Sequence, residues 1–576
     1  MLKLLKYLRG FKKESVIGPL FKLTEAVFEL FIPLVMVNMI DIGIHNKDRG
    51  YIFLMGAIMI LLGVLGLVCS LTAQYFAAKA AAGFGTKLRN DLMKHINRFS
   101  YTELDEIGTS ALISRMTNDT HQAQTAVNLA LRLFLRAPFI VVGAVIMAFT
   151  VHKGLAVVFV VLVPILSLSV FGIIYLSVPI YRKVQKKLEE LLLVVRENLT
   201  GIRVVRSFAR EEYEKENFLE KSSLLNDFQL LAGKVSGLLN PISMVLVNAA
   251  VLLLLWYGSK EVDIGNLTQG ELVALLNYMM QILIALVAFA FLMVSYMKGL
   301  GAAARIEQVF EIVPTEVETA HDLKEVRTHE LKKNRETTSV ELKGVSFSYA
   351  GSKLSALQDV SFRIERGQTV GIIGGTGSGK STLAHLIAGF YPVTKGTLQV
   401  NTDRIGIVPQ KAVLFRGTVR DNIKWGKSDA ADDEIWYALE AAQAREFVEE
   451  KGEGLDFIIT EGGNNLSGGQ RQRLTIARAI VGKPDILILD DSASALDILT
   501  ERRLRESIYD NIGDMTILFI SQRVVTVRDA DRIVVLDEGC IVGMGTHKEL
   551  REKCAIYEEI CRSQLPEEKE EVTSRD

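Results

Sequence analysis

The sequence predicts an all-α membrane domain with six spanning helices, followed by a separate α/β domain. Three observations carry this prediction: a length of 576 residues, apolar stretches confined to the first half, and alternating β-rich and helical runs after residue 340. Domains usually hold roughly 100–200 residues, so this length indicates two to four units. Hydrophobic residues make up 49% of the chain and charged residues 23%, so the apolar residues must be concentrated in one part.

The charge balance and the cysteines exclude two classes of protein. The chain has 66 basic and 67 acidic residues and a net charge of −1, so we expect no nucleic-acid partner. Its 4 cysteines form no CxxC pair, which disfavours a secreted fold built on disulfides and a cysteine metal site.

The membrane domain is predicted from six apolar stretches. Each is close to the ~20 residues that a helix needs to cross a bilayer, and charged segments flank them, which disfavours buried helices of a soluble protein. Membrane lipid is therefore an expected partner. The stretches are Ile17–Met39, Ile52–Leu71, Leu133–Val151, Leu155–Leu176, Leu238–Tyr257 and Leu272–Met297.

The basic residues predict the orientation of the spans. They cluster in the N-terminal residues 3–13, in residues 79–98 and after residue 181, whereas the other links are short and nearly balanced. The positive-inside bias then places both termini in the cytoplasm. We expect the two long cytoplasmic connections to form helical stalks. The N-terminal residues are expected to form an amphipathic helix on the inner membrane surface. No cleavage site follows the first stretch, which favours a multi-pass protein of the inner cell membrane.

Five charged residues lie within or at the edge of the predicted spans. Lys22, Glu25 and Glu29 share one face of the first span, and Arg132 and Arg136 enter the third span one turn apart. Charges at this depth are costly and usually face a bundle interior or a wet cavity. Two interpretations stay open: a structural ion-pair cluster or a lining for the substrate cavity.

The second half is predicted to be a soluble α/β domain. We expect the membrane domain to occupy residues 1–311, a charged linker residues 312–337, the α/β domain residues 338–565 and a disordered tail residues 566–576. Short β-rich runs alternate with helical segments in the α/β part, as in other domains of that class.

A glycine-rich loop joins a predicted strand to a helix at the start of this domain. It matches the pattern G-x-x-x-x-G-K-[ST], in which backbone N–H groups wrap phosphates, the lysine reaches the terminal phosphates and the hydroxyl binds Mg²⁺. We therefore predict ATP and Mg²⁺ as cofactors. The predicted contacts in this loop and the residue after it are Gly374, Gly375, Thr376, Gly377, Ser378, Gly379, Lys380, Ser381 and Thr382.

Two further motifs follow the glycine-rich loop. A buried-strand run ends in Asp490, a carboxylate suited to anchoring Mg²⁺ beside the phosphates. Before it, an LSGGQ segment opens a helix and offers a second anion site at the helix N-terminus. That segment comprises Leu466, Ser467, Gly468, Gly469 and Gln470.

Together these motifs resemble those of ATP-binding cassette (ABC) proteins, and six preceding spans resemble a half-size ABC exporter of the multidrug-resistance-like type. The resemblance implies that two cassettes dimerise head to tail, each ATP lying between one P-loop and the partner's signature. It also implies that Tyr349 stacks on adenine and that Gln410 senses Mg²⁺. The matching D-loop residues are Ser494, Ala495, Leu496 and Asp497.

Two positions depart from the family pattern. Asp491 stands where the family usually has a glutamate that polarises the attacking water, and Gln522 stands where it has a switch histidine. The aspartate carboxylate falls roughly 1–1.5 Å short, and misplacements of that size can cost ~10²-fold in rate. A glutamine amide donates a hydrogen bond but cannot become a cation. Both changes weaken hydrolysis at this chain's own P-loop, while LSGGQ is intact.

We therefore expect a heterodimeric exporter in which this chain lends its signature to the competent site of a second ABC half-transporter. The predicted substrate is a small amphipathic or peptide-like molecule. Two alternatives stay open: a homodimeric exporter with slow hydrolysis, and a nucleotide-gated regulator or channel. Soluble cassette ATPases are excluded by the six spans.

Overall fold

The computed structural model describes residues 3–314, 338–352, 354–492, 496–511 and 515–564. The chain divides into two compact units. One comprises Met1–Asn97 with Thr109–Val313, and the other comprises Arg98–Gly108 with Pro314–Asp576. A short stretch from the predicted membrane half, Arg98–Gly108, thus packs with the second unit. The predicted tail, and all of the predicted linker except residues 312–314, lie outside the described residues.

The first unit contains 6 helical segments that are long and apolar enough to cross a membrane, which confirms the predicted fold class. Each of the six apolar stretches lies inside one of them. The segments are Lys3–Ile44, Arg49–Ile96, Thr109–Val151, Lys153–Thr200, Glu211–Ile264 and Gln269–Glu311, here called the first to the sixth span.

Two helices of the first unit are much longer than the hydrocarbon core of a bilayer is thick. The α-helices Arg49–Ile96 and Lys153–Thr200 each have 48 residues. At 1.5 Å per residue each is about 70 Å long, more than twice the ~30 Å of the hydrocarbon core. The other α-helices of this unit are Lys12–Asn38, Thr109–Ser114, Thr120–Leu129, Arg136–Val151, Ile202–Ser207, Glu211–Gly237, Leu239–Ile264 and Gln269–Glu311.

Local helix type differs from the sequence prediction in two ways. The N-terminal segment Lys3–Phe11 is a 3₁₀ helix, and Tyr7 on it is buried against Phe84 and Phe310, so its apolar side faces the protein's own helices. The first and third spans also contain wider π-helical turns. These turns are Met39–Ile44, Arg115–Asp119 and Ala130–Phe134.

The core of the second unit is a six-stranded sheet with the order β11-β10-β3-β9-β8-β5. Its strands are parallel except for the edge strand β11, and β3, β8 and β9 are fully buried, as expected for central strands of a parallel sheet. They are β3 (Thr369–Gly374), β5 (Ile405–Val408), β8 (Ile486–Asp490), β9 (Thr516–Ile520), β10 (Arg532–Asp537) and β11 (Cys540–Gly545).

Two smaller sheets complete the unit. β1 (Thr338–Phe347) lies between β2 (Leu357–Glu365) and β4 (Lys395–Val400) in an antiparallel sheet, and β6 (Gly417–Thr418) pairs with β7 (Ile458–Ile459). The helices of the unit are Tyr101–Ile107, Lys380–Ile387, Val419–Lys424, Asp432–Ala441, Arg445–Glu450, Gly468–Ile480, Ile498–Asn511, Val524–Val527, His547–Lys553 and Ala555–Gln564. Parallel strands end at a common edge, and that edge places the site described next.

Candidate active site

The glycine-rich loop lies between the buried strand β3 and the helix Lys380–Ile387, as the sequence predicts. Gly377 and Gly379 have φ angles of 82° and 96°, a backbone region that L-residues rarely adopt. A Cβ on Gly379 would also lie 2.6 Å from the carbonyl oxygen of Ala356. The tight loop that presents backbone N–H groups therefore depends on glycine at these positions.

Hydrogen bonds to other residues of the loop hold the Lys380 side chain inside it. Its Nζ donates to the carbonyl oxygens of Gly374 at 3.0 Å and Gly375 at 2.6 Å, and to the hydroxyl of Ser378 at 3.3 Å. Burial lowers the pKa of Lys380, and the nearby Asp490 carboxylate opposes that shift. The ammonium is thus poorly compensated by protein charges, and a phosphate anion would compensate it.

Ser381 and Asp490 meet at the ends of the loop helix and of β8. The hydroxyl of Ser381 donates to Oδ1 of Asp490 at 3.0 Å, and burial raises the pKa of this carboxyl. Both groups present oxygen, the ligand that Mg²⁺ prefers, and Mg²⁺ commonly binds one carboxylate together with substrate phosphates. The described residues contain no cluster of three His, Cys, Asp or Glu side chains suited to a metal. Phosphate oxygens and water would therefore complete the coordination.

Asp491 lies next to Asp490 in an unusual backbone conformation. Its φ is 44°, and its backbone N–H donates to the carbonyl oxygen of Ile520 at 2.8 Å. Nε2 of Gln410 donates to the Asp491 carboxylate at 3.3 Å. Burial raises the pKa of Asp491, while the Gln410 hydrogen bond opposes that shift. The predicted glutamine-loop residue and the predicted base position are therefore in direct contact.

Gln522 lies beside the glycine-rich loop, with its Oε1 3.5 Å from the hydroxyl of Thr376. The next residue, Arg523, donates to the buried carboxylate of Glu501 at 3.2 Å, and Thr526 donates to the same carboxylate at 2.5 Å. Glu501 therefore anchors the segment that carries Gln522. The sequence analysis missed Glu501 because its partners follow β9, more than 20 residues along the chain.

Tyr349 is attached to the loop helix, since its hydroxyl lies 3.1 Å from that of Thr382. Its ring packs edge-on against Tyr391, with the ring centroids 5.4 Å apart. Tyr391 also donates to Asp105 at 2.7 Å, and Phe390 stacks on Tyr101 at 4.5 Å. The short helix Tyr101–Ile107 is thereby joined to the aromatic pair, a contact that the sequence analysis did not predict.

The LSGGQ segment lies at the start of the helix Gly468–Ile480. Ser467 and Gln470 form a reciprocal cap: Gln470 N donates to Ser467 Oγ at 3.3 Å, and Ser467 N donates to Gln470 Oε1 at 3.0 Å. Leu466 N also donates to the Gly463 carbonyl oxygen at 3.0 Å, and Arg471 donates to the Leu466 carbonyl oxygen at 2.7 Å. Ser467 and Gly468 are exposed, so this end of the helix is accessible to a ligand or a partner.

Two of the four predicted D-loop residues can be described. Leu496 is buried, and Asp497 caps the helix Ile498–Asn511 by accepting from the N–H of Thr500 at 3.1 Å. Hydrogen bonds from the Thr500 hydroxyl and from its backbone N–H lower the pKa of Asp497. Ser494 and Ala495 lie outside the described residues.

The charged residues of the spans form ion pairs in the first unit. Lys22 Nζ lies 2.6 Å from Glu25 and donates to Ser70 at 3.0 Å, and Arg136 lies 2.7 Å from Glu29. Four of the five charges are thus paired, which supports the structural interpretation for these four. Arg132 lies in the π-helical turn Ala130–Phe134.

A helical membrane unit with six apolar spans and an α/β unit with a glycine-rich phosphate loop define a membrane transporter ATPase. Residues 15–287 match the family model of the ABC transporter transmembrane region, and residues 357–494 match that of the ABC transporter. An uncharacterized ABC transporter ATP-binding protein of Mycobacterium tuberculosis is 35% identical over 97% of each chain. The chain therefore belongs to the ABC transporter family and is an ATP-binding, ATP-hydrolysing member of it.

Other relatives agree with this assignment. The Bacillus subtilis protein YfiB, also described as an ABC transporter ATP-binding protein, is 34% identical over 99% of each chain. The ATP-dependent lipid A-core flippase of Hahella chejuensis is 31% identical over 88% of each chain. Among solved structures, an ATP-bound bacterial Atm1-family ABC exporter matches with a TM-score of 0.79 at 22% identity, covering 96% of this chain and 100% of that chain. This chain thus has the fold of a half-size ABC exporter.

Proposed function

We propose that this chain is one subunit of a heterodimeric ABC exporter, and that its own P-loop site binds ATP and Mg²⁺ but hydrolyses ATP poorly. The observation that carries the proposal is that Asp491 and Gln522 both lie beside the glycine-rich loop, whereas the LSGGQ segment is intact and exposed. The second subunit is a half-transporter with a competent site, to which this chain contributes its signature.

The position of Asp491 supports the weak-site proposal. A general base must lie within hydrogen-bond reach of the water that it activates. The Asp491 carboxylate is one methylene shorter than that of glutamate, and Gln410 holds it at 3.3 Å. A deficit of roughly 1–1.5 Å is enough to lower the rate by ~10²-fold.

Gln522 supports the same proposal through its charge. Its amide lies next to Thr376 of the loop, where a family histidine would contact the terminal phosphate. An amide stays neutral at every physiological pH, so it cannot supply a cation to the charge that develops in the transition state. Arg523 does not replace that cation, because it is paired with Glu501.

We further propose that the complex exports an amphipathic substrate across the inner cell membrane, with both termini in the cytoplasm. Export is supported by relatives such as the putative export ATP-binding/permease protein of Rickettsia felis, 28% identical over 98% of each chain. An amphipathic substrate is consistent with a membrane unit that combines apolar spans and a few charges.

Native mass spectrometry of the complex, isolated from its own membranes through a tag on this chain, tests the pairing. The expected result is one copy of this 63.9 kDa chain with one copy of a second half-transporter. That partner should carry glutamate and histidine at the positions of Asp491 and Gln522. A particle of two identical chains would contradict the heterodimer.

A further inference from the structure

The five charges found within or at the edge of the predicted spans do not cancel one another. The group formed by Lys22, Glu25, Glu29, Arg132 and Arg136 contains three basic and two acidic residues. Glu25 neutralises Lys22 at 2.6 Å, and Glu29 neutralises Arg136 at 2.7 Å. One positive charge, that of Arg132, is left over.

Arg132 has no counter-ion within the described part of the chain, and its buried Nε has no hydrogen-bond partner there. The side chain as a whole is only partly buried, so part of it still faces open space. Ionisable side chains within or at the ends of membrane spans often mark a pathway or a ligand site. The turn that carries it, Ala130–Phe134, is π-helical, an irregularity that often accompanies function.

Other unsatisfied polar atoms lie close to Arg132 in the fold. Asn128 and Arg136 are four residues before and after it, so the three side chains lie near one face of the third span. The Oδ1 of Asn128 and the Nε of Arg136 are buried and have no hydrogen-bond partner among the described residues. The turn packs against the first, second and sixth spans. On the sixth span, Gln281 donates to the Glu29 carbonyl at 3.4 Å, and its Oε1 is also unsatisfied.

The depth of Arg132 indicates how a ligand would lie. It directly precedes the apolar stretch Leu133–Val151, at the end that the basic residues place on the cytoplasmic side. A group bound here lies near the inner headgroup level, and whatever is attached to it lies among apolar spans. The ligand chemistry that fits is an anionic head on an apolar body.

We propose that Arg132, with the amide of Asn128 beside it, forms a binding site for the anionic head of an amphipathic molecule. This inference rests on the proposed export of an amphipathic substrate and adds that the substrate is an anion. The guanidinium supplies charge-assisted hydrogen bonds to sulfonate, carboxylate or phosphate oxygens. The Nδ2 group of Asn128 is a further donor, and both carboxylates of the group are already paired, with Lys22 and with Arg136.

Binding to the full complex in phosphatidylcholine nanodiscs tests this site without ATP. The probes are a fluorescently labelled dodecyl sulfonate and its uncharged methyl sulfone, which share the same chain and fluorophore. Fluorescence anisotropy should show that the sulfonate binds about tenfold more tightly, as expected for charge-assisted hydrogen bonds. Arg132→Gln should remove this preference and leave the sulfone affinity unchanged.

Two further variants distinguish a loss of the Arg132 site from a loss of folding and from a general change in charge. Arg132→Lys retains the charge and should retain most of the preference for the sulfonate. Arg182→Gln removes an exposed arginine from the fourth-span stalk and should change nothing. Equal affinities for the two probes in the wild-type complex, or a sulfonate preference that survives Arg132→Gln, would overturn the proposal.

An added lipid identifies the source of the anion. If phosphatidylglycerol displaces the sulfonate, the site takes lipid headgroups; if it does not, the site takes smaller amphipathic anions. ATP-driven accumulation of the sulfonate in inside-out vesicles is measured separately. Binding of the sulfonate without accumulation would support the Arg132 site and contradict the exporter. Accumulation with equal affinities for the two probes would support the exporter and contradict the Arg132 site.

Discussion

Asp491 and Gln522 are the residues that set how fast this chain's own site can cleave ATP, if the proposed function holds. The double variant Asp491→Glu with Gln522→His restores the reach of the base and a group that can carry charge. We expect single-turnover ADP formation at this P-loop to rise about 10²-fold, the factor that the missing methylene can cost. Asp433→Glu, the same change at an exposed helix start, is the control and should have no effect. An unchanged rate in the double variant would show that geometry at these positions is not limiting.

The environment of Asp490 leads to a prediction about how the stability of the complex depends on pH. Burial raises its pKa in the folded protein. The stabilisation from this proton is therefore complete below the unfolded pKa, about 3.9, and is lost as pH rises through the folded pKa. At pH 7.5 the ionised carboxylate costs folding free energy, so Asp490→Asn should raise the thermal unfolding midpoint of the nucleotide-free complex.

The gain from Asp490→Asn should shrink as the pH falls through the raised pKa of Asp490, because the wild-type carboxyl then takes up its proton. The Asp490→Asn variant should also lose the additional thermal stability that Mg²⁺ gives to the ATP-bound complex. Asp433→Asn, at an exposed carboxylate, is the control for both measurements. A midpoint that falls at pH 7.5 would mean that the Asp490 charge stabilises the folded state.

At the residue scale, the sequence predicts the members of the site better than their contacts. The loop residues, Asp490 and Asp491 follow strands whose type is evident from local pattern, and the structure places them together. Glu501 and Tyr391 were missed, because their partners Arg523 and Asp105 lie on other elements. A single sequence carries no local signal for such a long-range hydrogen bond.

At the element scale, a prediction follows from the close packing of the sixth span against the third span. A Cβ on Gly299 would lie 2.2 Å from Ala126 Cβ and 3.0 Å from the carbonyl oxygen of Gln122, in the third span. Gly299→Ala should therefore force the two spans apart and destabilise the membrane unit by about 1–3 kcal/mol. The thermal unfolding midpoint in nanodiscs measures this loss.

Gly301, two residues further along the same helix, is the matched control. A Cβ there would meet only Nη1 of Arg305, at 3.8 Å. Gly301→Ala should be neutral or stabilise the helix by up to about 1 kcal/mol, since alanine has the higher helix propensity. Equal losses in the two variants would show that the effect comes from glycine flexibility and not from the contact between spans.

At the element scale, the type of each element was predictable but its extent and local form were not. Apolar length predicts six spans, yet the helix Lys153–Thr200 runs 24 residues beyond the apolar stretch that ends at Leu176, because mixed-charge sequence also forms helix. The π-helical turn at Ala130–Phe134 has no apolar signature of its own. Tyr7 on the N-terminal 3₁₀ helix packs against distant Phe84, a contact that periodicity cannot show.

At the scale of the whole molecule, the proposed function depends on asymmetry between two composite sites. In the proposed heterodimer, Asp491 weakens this chain's base position, while its exposed LSGGQ segment contributes to ATP cleavage in the partner's site. Such a pair would turn over ATP at one site while the other holds it. Both sites of that pair would bind nucleotide, so binding assays alone would not separate them.

The most direct test locates the hydrolysed nucleotide. The purified complex is allowed one turnover with radiolabelled azido-ATP and Mg²⁺, irradiated and digested, and the label on each P-loop peptide is analysed as ATP or ADP. We predict that the peptide containing Lys380 of this chain retains ATP while the partner's peptide carries ADP. ADP on the Lys380 peptide at the partner's rate would contradict the weakened site and with it the proposed heterodimer.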